Sequence, residues 1–375
     1  MDVVNSKLWD VIVVGGGPAG STVARKLALS KKKVLLLDSS MFPRVKLCAG
    51  WVTKQALIDL ELDPDDYPLT IQPFSSIFID CEGKSYETKW DEPASYGIIR
   101  YEFDHFLLNR AKEEGVDVRC GVRVRNIKFN NDSVTIYSDK EEFKSTIVVG
   151  AGGHTCPVAR ISGSISSEES VVLTQESETN IGTNVLESIA PNYGLPELFP
   201  EPDFNGYAWY FTKGDYLNIG VGCIGKEPSV HERLKRFLGI LRKSGRIREG
   251  ICLTKFKGHA YSIYRTSVRS IIGERFLLVG DAAGLAQDFS GEGIGPAIKS
   301  SNLASENIID FLDSYKSLDN YQEQIYTLYG NGQITLGDKF IELLPSNFTQ
   351  NIAKIMCKNA WLRRRFVLEG AFGIG

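Results

Sequence analysis

Apolar runs and polar breaks divide the chain into short strands and helices. Val11–Val14 is an unbroken hydrophobic run that ends in three glycines. A run of that length, bounded by a turn, predicts a strand buried on both faces of a parallel sheet. A helical stretch follows, on which Gly20 and Ala24 keep one face small, and then a second apolar strand, Val34–Leu37, that ends in Asp38. Far downstream the arrangement recurs. Phe276–Val279 predicts a strand, a glycine-rich stretch follows, and a helix is predicted from about Pro296. Elsewhere the period shortens to two. Residues 74–90, "FSSIFIDCEGKSYETKW", are strand-rich. Tyr207–Phe211 and Tyr216–Val221, joined by "KGD", predict a β-hairpin with Tyr207, Trp209 and Phe211 on one face.

The tail, about 320–375, reads as helical. In it Ile352, Ile355, Met356 and Trp361 are apolar, whereas Lys354, Lys358 and Arg363–Arg365 are basic. Such a helix can lie on an anionic membrane surface. Docking on its own domain, with the charged face solvated, is the simpler expectation.

With 375 residues the chain exceeds the size at which one core usually stops growing, so one large or two interleaved domains are expected. A net charge of −3 gives no reason to expect a nucleic-acid partner. The seven cysteines include no C-x-x-C pair, which argues against a zinc or iron–sulfur site and leaves no metal site to predict. No secretory leader is read at the start. Reduced thiols in a cytoplasmic protein are therefore expected. No apolar run is long enough to span a bilayer, so any membrane contact would be peripheral, on the inner face.

The chemistry concentrates at the predicted strand ends. Gly15, Gly17 and Gly20 satisfy G-x-G-x-x-G, with Ala19 beside the last of them. The first allows a tight turn, the second lets backbone approach a pyrophosphate, and the third lets helix pack on strand. Free N–H groups and the helix dipole favour phosphate there, and Asp38 can accept ribose hydroxyls. Strand, helix, second strand and terminal acid together supply the context this motif needs. In the downstream fingerprint, Asp281 can hold a sugar-alcohol chain. The glycines at 291, 293 and 295 open a helix whose N–H groups suit a developing anion.

These residues resemble the FAD-binding signatures of the para-hydroxybenzoate hydroxylase-like flavoproteins: G-x-G-x-x-G, the acid at 38, and G-D-A-A-G followed by G-E-G-I-G. The resemblance covers nearly the whole chain. It implies that Asp281 holds the ribityl chain and that Gly291, Gly293 and Ile294 present backbone to the isoalloxazine. It assigns Arg100, in "GIIRYEFDHFLLNRA", to FAD contact, and puts Val124 where backbone meets adenine. One departure concerns the third motif, "VVGAGGHTCPVAR", where Gly152 stands in place of the acid of a D-G pair. That acid is associated with pyridine-nucleotide contacts, so the electron donor is left open between NAD(P)H and a reduced ferredoxin-like protein. In the same loop His154 and Cys156 read as a packed turn. His105, His231 and His259 read as structural or surface residues.

Two further stretches point to one branch of that family. "FPRVKLCAG", 42–50, resembles the K-x-C-[GA]-G motif of geranylgeranyl reductases, here Lys46, Cys48, Ala49 and Gly50. Arg44 can grip a pyrophosphate. "NGYAWYFTKGDYLNIGVG", 205–222, is similar to the branch's aromatic hairpin, with Thr212 in place of a proline. The resemblance implies an α/β fold, in which a Rossmann-like FAD-binding domain of the glutathione reductase type carries an interleaved β-sheet substrate domain and a helical C-terminal tail. The FAD-binding domain is expected over 1–70, 96–160 and 268–320, the substrate domain over 71–95 and 161–267, and the tail from 321. The implied activity is reduction of double bonds in an isoprenoid or lipid substrate, with Cys48, Tyr207 and Trp209 as candidate catalytic residues. Alternatives on the same scaffold are a monooxygenase or halogenase and an electron-transfer flavoprotein with a redox partner protein.

Overall fold

The computed structural model describes residues 8–165, 169–225, 227–264, 267, 269–330 and 346–375. Five parallel strands form the centre of the larger sheet, in the order Phe276–Leu278, Glu142–Gly150, Leu8–Val14, Val34–Asp38 and Asp117–Cys120. Val11–Val13 and Leu35–Leu37 are fully buried, as continuous apolar runs in a doubly covered sheet must be. An antiparallel pair, Val124–Phe129 and Val134–Ser138, extends this sheet from Glu142–Gly150.

The first strand feeds the helix Pro18–Leu29, which packs against the long helix Ile294–Ser314. Small residues make this contact close. Ser301 Oγ donates to Ala19 O at 2.9 Å, across the helix pair. The long helix begins two residues before Pro296, because Gly293 caps it and Glu292 Oε1 accepts from Gly295 N at 2.5 Å.

A second, seven-stranded sheet is almost wholly antiparallel. Its order is Lys257–Ser262, Val171–Asn180, Tyr216–Ile224, Gly206–Lys213, Pro196–Pro200, Ser76–Cys81 and Lys84–Lys89. Gly206–Lys213 and Tyr216–Ile224 are the two arms of the predicted hairpin. A third sheet has three strands, Trp51–Thr53, Ser95–Ile98 and Ile71–Phe74. Thr212, at the proline position of the branch pattern, is buried and its hydroxyl accepts from Gly194 N at 2.6 Å.

The described part of the tail is helical and docks on the Ser76–Lys89 hairpin. Arg363 donates to Thr88 Oγ1 and Glu87 O, while Lys354 and Lys358 pair with Glu82. The docking face is not the apolar set singled out in the sequence: Ile352, Ile355 and Trp361 are exposed, whereas Cys357, Leu368, Phe372 and Ile374 are buried. Residues 331–345 of the predicted helical tail lie outside the described residues. Among the described residues no helix is long and apolar enough to cross a membrane.

Gly20 shows how little slack the helix–strand junction has. A Cβ there would fall 1.7 Å from Gly15 O, a backbone atom that cannot turn aside. Gly20→Ala is expected to cost about 3 kcal/mol or more, read as a drop in urea midpoint. A variant within about 0.5 kcal/mol of wild type would contradict the packing described.

Candidate active site

The ends of the parallel strands and one face of the seven-stranded sheet enclose a cavity of about 900 Å³. Its floor is the two glycine-rich helix starts. Gly15, Gly17 and Ala19 line it from one, and Gly291, Gly293 and Ile294 from the other. No side chain caps the helix that starts after Gly17, so its first N–H groups remain available, whereas in the long helix Glu292 already takes Gly295 N. A Cβ at Gly17 would meet nothing nearer than Arg44 Nη2, 3.4 Å away, so backbone forms this part of the wall. Asp38 holds the turn with both oxygens: Oδ2 accepts from Gly16 N and Oδ1 from Ser40 N, each at 2.7 Å. The remaining lone pairs can accept from a ligand. Val124 and Asp281 also line the cavity.

Cations gather along the same wall. Asp104 is buried and takes a bidentate grip from Arg100, at 2.6 and 2.9 Å, with Arg44 Nη2 at 3.3 Å. Two guanidiniums on one carboxylate leave an unneutralised positive charge facing the cavity. Lys46 Nζ lies 2.8 Å from His259 Nε2. Burial first, and Lys46 next, push the His259 pKa down to about 4, so its neutral ring accepts from the ammonium. Burial, and then Arg100, hold Lys46 below its ordinary value.

The far end is aromatic. Tyr207, Trp209 and Phe211 project into the cavity from one strand, and Trp51, Phe372 and Ile374 complete the wall. Tyr207 donates to Ser290 O at 2.5 Å and Trp209 Nε1 to Asn218 Oδ1 at 2.7 Å, so each ring is fixed by its polar end. Gly220 is small for a visible reason: a Cβ there would sit 2.2 Å from Cζ2 of Trp209. Cys48 and Ala49 line the same chamber. Gly50 N donates to the Cys48 sulfur at 3.4 Å, and Asn218 Nδ2 donates to Cys48 O at 3.3 Å.

Sixteen of the predicted site residues therefore meet around one cavity, and two do not: Gly20 and Gly50 stand behind its wall. Gly20 serves the helix–strand contact. Gly50, at φ +68°, makes room for Lys213, whose Nζ would be 2.7 Å from a Cβ there. Arg100 is buried, held by Asp104 rather than free. His259, read from sequence as structural or surface, lines the cavity, as does His154, whose Nδ1 lies 3.1 Å from Ser262 Oγ. Glu176, Tyr261, Phe372 and Ile374 escaped the sequence reading altogether. The alternation of His259 and Tyr261 along Lys257–Ser262 was the only signal for that strand. No group of residues able to hold a metal occurs among the described residues.

Lys213 ties the chamber together. Its Nζ donates to Glu178 Oε1, Ala49 O and Ile98 O at 2.6, 2.8 and 2.9 Å, from a side chain with no exposure. Lys213→Met removes all three bonds. A loss of about 3 kcal/mol is expected, at the low end for a broken buried pair because Glu178 keeps some access to water. Urea denaturation checks this, and an unchanged midpoint would remove the linking role.

No protein-family model matches the chain. An uncharacterized protein of Methanosarcina barkeri is 30% identical over 318 residues, which cover 83% of this chain and 77% of that one. The digeranylgeranylglycerophospholipid reductase of Methanococcus aeolicus is 25% identical over 329 residues, 82% of each chain. Among solved structures, a geranylgeranyl bacteriochlorophyll reductase-like protein of Thermoplasma acidophilum superposes with a TM-score of 0.79 at 19% identity, over 98% of this chain and 97% of that one. That structural likeness bears on the fold, and the sequence relatives carry the rest. With the two glycine fingerprints, the Lys46–Gly50 motif and the aromatic hairpin on one cavity, the chain belongs to the geranylgeranyl reductase branch of the para-hydroxybenzoate hydroxylase-like FAD-dependent oxidoreductases.

Proposed function

We propose that this enzyme saturates carbon–carbon double bonds of a geranylgeranyl or other polyprenyl group carried on a lipid, a diphosphate or a quinone. The observation that carries the reading is the junction of an aromatic, apolar chamber with a cationic, glycine-lined cradle in one cavity. An isoprenoid chain needs an apolar wall, and few precisely placed polar groups set its position. The cradle fits FAD. The uncapped helix start after Gly17, the backbone of Gly291–Ile294, Asp38, Asp281 and the net positive Arg44–Arg100–Asp104 cluster suit a dinucleotide with a diphosphate. When bound and reduced, FAD supplies a hydride equivalent.

The chain's own residues then hold the substrate and exclude water. Tyr207, Trp209, Trp51 and Phe372 form the apolar wall. Burial raises the Tyr207 pKa well above its ordinary value, so its hydroxyl stays neutral and keeps its bond to Ser290 O. Cys48 lines the reaction chamber. Digeranylgeranylglycerophospholipid reductase among the relatives supports a lipid-borne substrate. Exposed Ile355, Trp361 and Phe366, beside Arg364 and Arg365, suit peripheral contact with an anionic membrane surface. The electron donor is NAD(P)H or a ferredoxin-like protein.

The test is an anaerobic one. Reduced with dithionite and freed of excess, the FAD-loaded protein is expected to regain its oxidised absorbance when a geranylgeranyl lipid is added. Reoxidation only on admission of air, across diphosphate, lipid and quinone carriers, would overturn the reading and favour an oxygen-dependent enzyme.

A further inference from the structure

Double-bond reduction needs a proton as well as a hydride, and two buried carboxyls line the cavity, Glu176 and Glu292. Glu292 is tied to the start of the long helix by Gly295 N, whereas Glu176 lies against the aromatic wall. Glu176 lies on the strand Val171–Asn180, which pairs with the second arm of the aromatic hairpin. Its register partner is Gly220, and Trp209 pairs with the same glycine from the other side. A Cβ on Gly220 would meet the Trp209 ring at 2.2 Å and Glu176 Cβ at 2.8 Å. The missing side chain thus lets the indole and the Glu176 stem lie together. The carboxyl lines the cavity and is 4% exposed. It lines the same cavity as Cys48, the residue that the branch motif places in the chamber.

The groups facing it are few. Glu178 lies two residues along the same strand face, Lys213 comes from the hairpin, Arg100 from the helix Arg100–Glu113, and Tyr261 from the strand Lys257–Ser262. Lys257, its cross-strand partner, is exposed. Arg100 is committed to Asp104, and all three Lys213 donors are used, only one of them on a carboxylate.

We propose that Glu176 is the proton donor for the reduction, delivering its carboxyl hydrogen to the alkene carbon that does not receive the hydride. The inference rests on the ene-reductase reading. The π bond is lost and two C–H bonds form. One uses the hydride pair from the reduced cofactor. The other uses the π electrons and the Glu176 proton, whose O–H bond breaks. The carboxylate recovers a proton from water after the product leaves. Burial first, and the neighbouring Glu178 second, push the Glu176 carboxyl up to about 7, against the pull of Lys213 and Arg100. The proton is therefore present at and below neutrality and is lost as pH rises through about 7.

Two measurements test this. Burial pushes Glu292 up to about 7 as well, so in flavin-free protein the readout is the wild-type minus Glu176→Gln infrared difference: it should contain a protonated-carboxyl band that disappears as pH rises through about 7. In FAD-loaded protein, reduction of geranylgeranyl diphosphate or a digeranylgeranylglycerophospholipid should fall in wild type over the same pH range. Glu176→Gln should lose about 10²-fold in rate and the pH limb with it, while Glu176→Asp recovers part of the rate. A Glu176→Gln variant that reduces the alkene at the wild-type rate, or a difference spectrum with no protonated-carboxyl band, overturns the proposal. If Glu176→Gln fails to fold, the Glu176→Asp rate and its infrared difference from wild type still decide. Wild-type protein that reduces neither lipid sinks the ene-reductase reading, and the donor role falls with it.

Discussion

One buried ammonium joins the two halves of this molecule. Lys213 sits at the end of an aromatic strand, yet its three bonds reach a carboxylate two strands away in the same sheet, the Cys48–Gly50 loop and the end of the strand Ser95–Ile98. A desolvated lysine is tolerable only when its donors are satisfied. Satisfying them here requires the sheet and the cradle to meet in one arrangement. Glycines at 50 and 97 leave the space: a Cβ on either would lie within 3 Å of the Lys213 side chain. The chamber exists because this contact holds its two walls at a fixed spacing.

The cavity is also sorted by charge. Arg44 and Arg100 gather around a single buried acid, Asp104, where a diphosphate would need them, and Lys46 stands on the same cavity wall beside His259. Farther in, the charges give way to rings held by hydrogen bonds at their polar ends. Glu176 lies in the aromatic part, near Lys213 and Arg100 but short of full neutralisation by either. A site that must bind an anion at one end and a hydrocarbon at the other is built in this way.

The cradle was largely legible in the sequence because it is local. Each glycine fingerprint is one strand, one turn and one helix, and the hairpin is one continuous stretch. Periodicity and turn chemistry report such units directly. What could not be read is what topology assembles. Glu176 and His259 lie on strands whose neighbours are distant in sequence, and each looks like an ordinary polar residue on its own strand. Phe372 and Ile374 reach the chamber only because the tail docks on a hairpin almost 300 residues earlier. Gly50 matched a binding motif, yet its role became clear only once Lys213 stood beside it. The apolar tail residues face out because Cys357, Leu368 and Phe372 take the docking face instead.

The account therefore rests on a chemical claim about this chamber: a hydrocarbon double bond is reduced there and oxygen takes no part. The most direct check is the mass of the lipid after one anaerobic turnover of the reduced, FAD-loaded protein. The account predicts a product heavier by one pair of hydrogens for each flavin oxidised. A lipid of unchanged mass beside oxidised flavin, or one that gains an oxygen or halogen atom when air is present, would contradict it.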